Sequence, residues 1–217
     1  MSDNLEDYIE QTLLRVDVTE KMIEDLCHKV KDSGIYGVCI PPFYTSTARK
    51  ILEESPTKVI TVVGFPFGYT NITSKAEATK KVISDGVDEV DLVMNISAFL
   101  SENYGQVADE VESVHTLCNM NDRLLKVIIE ASLLNESQLA KACEICVEKE
   151  VDFVKTSTGF NGGGATVDMV SKMRKLLPEG TGIKASGGIK TKDMALQLIK
   201  AGANRIGTSS GFEILGA

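Results

Sequence analysis

Histidine is almost missing from this chain, with two in 217 residues. His28 and His115 both fall in helix-period stretches, so a metal-activated aldolase or a zinc hydrolase is hard to build, and no Ser-His-Asp constellation is apparent. Cysteine is sparse too. The five cysteines are odd in number and scattered, which suggests no disulfide framework. Cys143 and Cys146 have C-x-x-C spacing, but they share a helix-period stretch with Leu139 and Ala142. No second cysteine pair or nearby histidine completes a tetrahedral zinc site, so packing is the expected role. Positive charge is in deficit: 23 lysines and arginines face 31 acidic residues, for a net charge of −8. That balance argues against broad nucleic-acid or anionic-membrane binding. It leaves room for a small phosphorylated ligand held by a few backbone N–H groups. No apolar run approaches the ~20 residues that span a bilayer. The start, Met1 to Asp7, is acidic and lacks the basic and apolar regions of a signal peptide. A reducing cytoplasm is the expected location. Low-complexity tracts and linker-like stretches are also lacking, so residues 1–217 are expected to form one domain.

What is present is repetition. Short apolar runs alternate with amphipathic helical patterns almost from end to end. The strand candidates are Tyr8–Arg15, Tyr36–Pro41, Val59–Phe65, Glu89–Asn95, Leu125–Glu130, Phe153–Thr158, Gly182–Gly187 and Arg205–Ser209. Helical patterns start near Thr19, Ser46, Ser74, Asn103, Asn135, Thr166 and Thr191, with a short last one after Ser210. Ser74-Lys75-Ala76-Glu77 reads as a capping box and Asn135 with Gln138 as a near relative of one. Gly34, Gly86 and Gly202 read as helix stops. Eight alternations in one domain predict an α/β fold, a (β/α)8 TIM barrel, near the short end of that fold's usual ~250 residues. A doubly wound open sheet is the competing architecture, and no G-x-G-x-x-G after the first strand supports it.

Two lysines then stand out, because each sits where a strand ordinarily carries valine. Lys155 lies in Val151 to Gly159 and Lys184 in Gly182 to Gly188, on predicted strands six and seven. Alternation puts Phe153, Lys155 and Ser157 on one face, and Lys184 and Ser186 on one face of the next strand. An ammonium loses its hydration on burial, and a second ammonium alongside disfavours its charge further. One lysine of such a pair can act as an amine nucleophile towards a carbonyl while the other stays charged and tunes it. The plainer alternative is that both stems snorkel from strand ends into water. Lys126 is expected at the start of its strand, at the opposite end of the barrel, in a structural role. Glu89, Asp91, Val93 and Asn95 form the partly polar, inward face of strand four; Val90, Leu92 and Met94 form the apolar one. Asp91 offers the carboxylate that imine chemistry needs for proton relay, or is a buried carboxylate satisfied by a lysine or by backbone donors. Gly187-Gly188 after strand seven and Ser209-Ser210-Gly211 after strand eight occupy the ordinal positions where barrels form phosphate sites. The glycine-rich loop Gly159 to Gly164 either covers a substrate or simply connects.

Several segments resemble those of the deoxyribose-phosphate aldolases, class I aldolases built on a (β/α)8 barrel. They are Val38-Cys39-Ile40, Glu89-Val90-Asp91-Leu92-Val93, Leu125 to Glu130, Phe153 to Gly159, Ile183 to Ile189 and Arg205 to Ser209. Taken in order they cover essentially the whole chain. The resemblance implies that Lys155 forms the Schiff base, that Lys184 lowers its pKa, and that Asp91 assists proton transfer through water. It implies a phosphate site around Gly187, Gly188, Ser209 and Ser210, with Thr12 and Thr156 in the substrate-binding set. The implied reaction is reversible cleavage of 2-deoxy-D-ribose 5-phosphate to acetaldehyde and D-glyceraldehyde 3-phosphate. No organic cofactor or metal is implied, because the imine is itself the electron sink. A homodimer or higher homo-oligomer is also implied. The chain departs from common family patterns in three places. Glu10-Gln11-Thr12 stands for Asp-His-Thr, with Arg15 in place of a following lysine. Phe160 replaces a lysine that some members use on phosphate. Some members also carry a longer tail ending in tyrosine, where this chain stops at Ala217. The readings that compete are another imine-forming barrel, transaldolase-like or fructose-phosphate-cleaving, and a non-catalytic phosphosugar-binding barrel.

Overall fold

A computed structural model describes residues 4–216. The eight strands are β1 (Ile9–Thr12), β2 (Gly37–Ile40), β3 (Lys58–Val63), β4 (Glu89–Val93), β5 (Leu124–Ile128), β6 (Phe153–Lys155), β7 (Gly182–Ser186) and β8 (Arg205–Thr208). Each pairs in parallel with the next, and β8 returns to β1 through Ile9 against Ile206, so the sheet closes in the order β1 to β8. The predicted barrel is the observed architecture, and each predicted strand lies over an observed one. The observed strands stop short of the predicted ends because the last residues of each run peel into the loops of the C-terminal rim.

The helices are α1 (Glu20–Lys31), α2 (Thr45–Ile51), α3 (Ile72–Ser84), α4 (Ile96–Leu100), α5 (Tyr104–Asn119), α6 (Glu136–Glu148), α7 (Val167–Leu176), α8 (Lys192–Lys200) and α9 (Gly211–Leu215). Caps set several of their starts: Thr19, Thr166 and Thr191 each accept a hydrogen bond from the backbone three residues on. Asn135 and Gln138 form the reciprocal capping box expected for α6. The box expected at Ser74 is not the start of α3. Asn71 caps that helix by accepting from the Ser74 N–H at 2.8 Å, because its side-chain amide reaches the unpaired N–H one turn earlier. The residue after Ser74 is then drawn into the protein rather than the cap. The short α4 was not anticipated; five residues are too few to show a helical period. Gly34, Gly86 and Gly202 take the positive φ that ends α1, α3 and α8.

The main apolar core lies between barrel and helices. Val90, Leu92 and Met94 of the β4 run are fully buried there with Val107, Val111 and Val114 of α5. Each such side chain contributes about 1.5–3 kcal/mol relative to exposure. Cys143 and Cys146 belong to the same core, and burial pushes the Cys143 thiol up to about 12. A smaller apolar cluster inside the barrel joins Cys39, Ile60 and Val62 to Leu14, Tyr36 and Phe65. Much of the remaining barrel interior carries charged side chains.

Candidate active site

The interior charges come from alternate residues of the strands. Glu10 on β1, Asp91 on β4, Lys126 on β5 and Lys184 on β7 are each fully buried, and Lys155, the last residue of β6, is 3% exposed. Asp91 is the hub. Its Oδ2 accepts hydrogen bonds from Lys155 Nζ at 2.8 Å and from Lys184 Nζ at 2.7 Å, while its Oδ1 accepts from Lys126 Nζ at 3.0 Å. Lys184 also donates to Glu10, and Lys126 lies against Glu89. Burial alone pushes Asp91 towards the neutral acid, but the three lysines around it outweigh that and hold its carboxyl well below the usual range. Burial likewise disfavours the Lys184 ammonium, and Asp91 and Glu10 more than reverse it, so Lys184 is held above its ordinary value. Lys126 is held well above for the same reason, by Asp91, Glu10 and Glu89 against burial. Burial therefore does not neutralise these two lysines, since carboxylates buried with them decide the balance.

The backbone makes room for this cluster. A Cβ on Gly207 of β8 would lie 2.9 Å from Lys184 Cε, so glycine there lets the lysine stem cross the barrel. The far end of β4 is pinned from outside. Lys75 of α3 is ion-paired with Glu110 of α5 at 2.7 Å and donates to the Val93 carbonyl at 2.8 Å, and Glu110 accepts the Asn95 N–H at 3.1 Å. Burial depresses the Lys75 ammonium and raises the Glu110 carboxyl, each only partly offset by the other.

Above the cluster, a cavity of about 250 Å³ opens at the C-terminal rim. Its walls include Thr12, Arg15, Lys155, Thr158, Phe160, Ser186, Gly187, Gly188, Lys190 and Ser209. Of the three lysines around Asp91, Lys155 alone lines it. An amine at its floor, bonded to a carboxylate that shares a second ammonium, is an arrangement suited to attack on a carbonyl and relay of the protons involved.

Comparison with known proteins agrees with this chemistry. The profile of the DeoC/LacD family of aldolases matches residues 8–216. The chain belongs to the DeoC/LacD aldolase family. It is thus an aldolase, a carbon–carbon lyase. It is 42% identical over 212 residues to a deoxyribose-phosphate aldolase of Brevibacillus brevis, covering 98% of this chain and 95% of that one. It is 43% identical over 210 residues to that of Thermococcus kodakarensis, covering 96% and 94%. A tetrameric deoxyribose-phosphate aldolase structure from Aeropyrum pernix superposes with a TM-score of 0.92 at 32% identity, covering 98% of this chain and 89% of that one.

In this DeoC/LacD aldolase the residues singled out from sequence are distributed as follows. Lys155, Lys184 and Asp91 meet in one hydrogen-bonded cluster. Gly187, Gly188, Ser209 and Thr12 line the cavity, and Ser210 and Thr156 do not. The Ser210 N–H donates to Thr208 Oγ1 at 2.9 Å and the Gly211 N–H to Gln11 Oε1 at 2.8 Å, so the first N–H groups of α9 already have protein acceptors. Thr156, one residue beyond Lys155 and so on the alternate face, donates its hydroxyl to the Ser186 carbonyl at 3.2 Å and accepts the Ser186 N–H at 3.1 Å. It ties β6 to β7. Gly187 and Gly188 have φ of +90° and +75°. The loop after β6 lies against this turn, with the Ala165 N–H donating to the Ser186 carbonyl at 3.0 Å.

The expectation for Lys126 is corrected. β5 begins at Leu124, so Lys126 is mid-strand and points into the barrel, where it bonds Asp91. The strand expected over Leu125–Glu130 set Lys126 at its start, whereas β5 spans Leu124–Ile128 and centres on it. Glu10 is the buried partner of Lys184. Sequence reasoning did not assign Tyr36, Arg205 or Glu130. Glu130 accepts from Thr158 Oγ1 at 2.6 Å and Asn161 Nδ2 at 2.8 Å and so holds the loop that rims the cavity. A carboxylate directly after the apolar run Val127-Ile128-Ile129 was the available signal.

Proposed function

We propose that this chain catalyses reversible retro-aldol cleavage of 2-deoxy-D-ribose 5-phosphate to D-glyceraldehyde 3-phosphate and acetaldehyde through an imine on Lys155, in the catabolism of deoxyribose phosphates. The observation that carries the assignment of the nucleophile is access: Lys155 lines the cavity, while Lys184 and Lys126 are fully buried. In the cleavage direction the Lys155 amine adds to the C1 aldehyde of the open-chain sugar, and loss of water gives the protonated imine. The C3 hydroxyl loses its proton as the C2–C3 bond breaks; the bonding electrons move into the imine and leave an enamine, with glyceraldehyde phosphate departing. Protonation of the enamine carbon and hydrolysis then release acetaldehyde and restore the amine. Asp91, already bonded to Lys155, is the carboxylate placed to hand these protons on through water, and Lys184 keeps a positive charge beside it. Gly187, Gly188, Ser209 and Thr12 are the proposed phosphate and substrate contacts, on the opposite wall from Asp91's strand.

No helix among the described residues is long and apolar enough to cross a membrane. A cytoplasmic homo-oligomer is the proposed setting, supported by the tetramer described for the Aeropyrum pernix relative. The test is product identity. Incubation with 2-deoxyribose 5-phosphate should yield acetaldehyde, read by reduction with alcohol dehydrogenase and NADH, together with one equivalent of glyceraldehyde 3-phosphate. Cleavage of fructose phosphates in its place would favour the fructose-phosphate type of aldolase, and folded protein that binds the sugar without products would favour a binding-only barrel.

A further inference from the structure

Beneath the Asp91 cluster the barrel interior continues as a second layer of charge that does not touch the cavity. Glu89 lies against Lys126 on one side and accepts a hydrogen bond from the Tyr36 hydroxyl on the other. Arg205, the first residue of β8, stacks its guanidinium over the Tyr36 ring at 3.7 Å and faces the Phe153 ring at 5.4 Å, with its Nε 4.0 Å from Glu10 Oε1. Its side chain is 20% exposed and opens into a cleft at the N-terminal end of the barrel, walled by Tyr8, Tyr36 and Asn204. Formal charges in the two layers sum simply. Lys126, Lys184 and Arg205 stand against Glu10, Glu89 and Asp91, three against three. Lys155 is the odd charge, so the interior is neutral only when Lys155 is an amine.

We propose that Glu89 and Arg205 are positioning residues that set the charge balance under the nucleophile, one favouring and one opposing the ammonium form of Lys155. This rests on the Schiff-base role proposed for Lys155 and goes beyond it by extending the tuning of that lysine to the far end of the barrel. The physical reason is that a charge walled in by strands has little water to screen it, so adding or removing one elsewhere in the same enclosure is felt at Lys155. Lys155 bonds Asp91 on β4 and interacts with Cys39 on β2, and the charged groups joined to it through Asp91 are Lys184 on β7 and Lys126 on β5, with Glu10 on β1 paired to both. Arg15 and Lys190 line the cavity on the solvent side, and Glu130 stays bonded to Thr158. Substitution at 89 removes a direct partner of Lys126, and substitution at 205 removes a neighbour of Glu10, so the change in charge reaches Lys155 partly through these two groups. Tyr36, held between Glu89 and Arg205, fixes both heads in place, and its hydroxyl is pushed up to about 12 by burial and by the Glu89 carboxylate.

The test is the acid limb of the kcat/KM profile for 2-deoxyribose 5-phosphate, compared with the parent chain so that ionisation of the substrate cancels. Glu89→Gln, nearly isosteric, removes a negative charge and should move the limb to lower pH. Arg205→Met removes a positive charge and should move it to higher pH. Each shift should be about one pH unit, the scale of a unit charge acting over ~10 Å at an effective dielectric constant of about 20. Arg205→Lys should return the limb to within a few tenths of a unit of the parent. A merely structural role lowers activity in both variants without opposite shifts, and limbs that stay fixed or move the same way overturn the proposal. If Arg205→Met does not fold, the direction of the Glu89→Gln shift alone decides. A parent chain that releases no acetaldehyde would instead refute the proposed reaction, which separates that failure from this one.

Discussion

Replacing Asp91 with asparagine removes the group on which three lysines converge. Its Oδ2 serves Lys155 and Lys184, and its Oδ1 serves Lys126. An amide keeps one acceptor and turns the other into a donor, so whichever way it is flipped an NH2 faces an ammonium. Breaking a buried ion pair by removing one partner costs about 3–5 kcal/mol. At about 2–4 °C per kcal/mol for a chain of this length, the midpoint should fall by about 6–20 °C. The effect should also depend on pH with a definite sign. The Asp91 carboxyl is held well below its ordinary value in the folded state. Its stabilisation is therefore fully present above the unfolded value near ~4 and is lost as pH falls towards the folded one. Urea unfolding of the parent and Asp91→Asn should thus differ by the full amount at pH 7 and by a smaller amount below pH 4. Turnover should drop by about 10²–10⁴-fold from loss of the proton relay. A midpoint within 2 °C of the parent at pH 7, or a stability gap that grows on acidification, would show that Asp91 does not hold the three lysines together.

Gly187→Ala should lose substrate affinity and stability together, because φ of +90° is costly for alanine and its Cβ would stand 2.9 Å from the Gly164 Cα; calorimetry and KM check this. The thiols of Cys143 and Cys146 should resist a disulfide reagent at pH 8 until urea unfolds the chain, since both are buried in the core and burial raises both pKa values. Rapid labelling of native protein would contradict that placement. Lys75→Met should leave the Glu110 carboxylate buried without its ion pair and destabilise by about 3–5 kcal/mol, whereas the double change with Glu110→Leu should recover most of the loss; a denaturation double-mutant cycle measures the difference.

The fold was legible because each strand–helix unit carries its own local signals. A β-branched or apolar run, a cap such as Thr166 or Asn135, and a stop such as Gly86 recur in order, and closure follows once eight parallel strands are present. The two site lysines and Asp91 were legible because charge in an apolar strand is conspicuous. What was not legible depends on closure itself. Lys126 looked like a strand-start residue because sequence does not reveal where along the barrel axis its neighbours' carboxylates lie; register against β4 places it opposite Asp91. Glu10 and Lys184 are 174 residues apart and meet only because β1 and β7 both flank β8. Tyr36 and Arg205 pair through the closing of the sheet between β8 and β1, which no local pattern announces. The buried Lys75–Glu110 pair was hidden for a related reason, since each sits on a helix that otherwise reads as amphipathic and polar.

Everything proposed for the reaction turns on Lys155 being the nucleophile and Lys184 its charged neighbour. Trapping the protein with 2-deoxyribose 5-phosphate and borohydride, followed by peptide mass analysis, tests it most directly. The prediction is a reduced two- or five-carbon adduct on the peptide that contains Lys155 and none on that containing Lys184. An adduct on Lys184 would reverse the two roles, and folded protein that is never trapped would contradict the imine mechanism altogether.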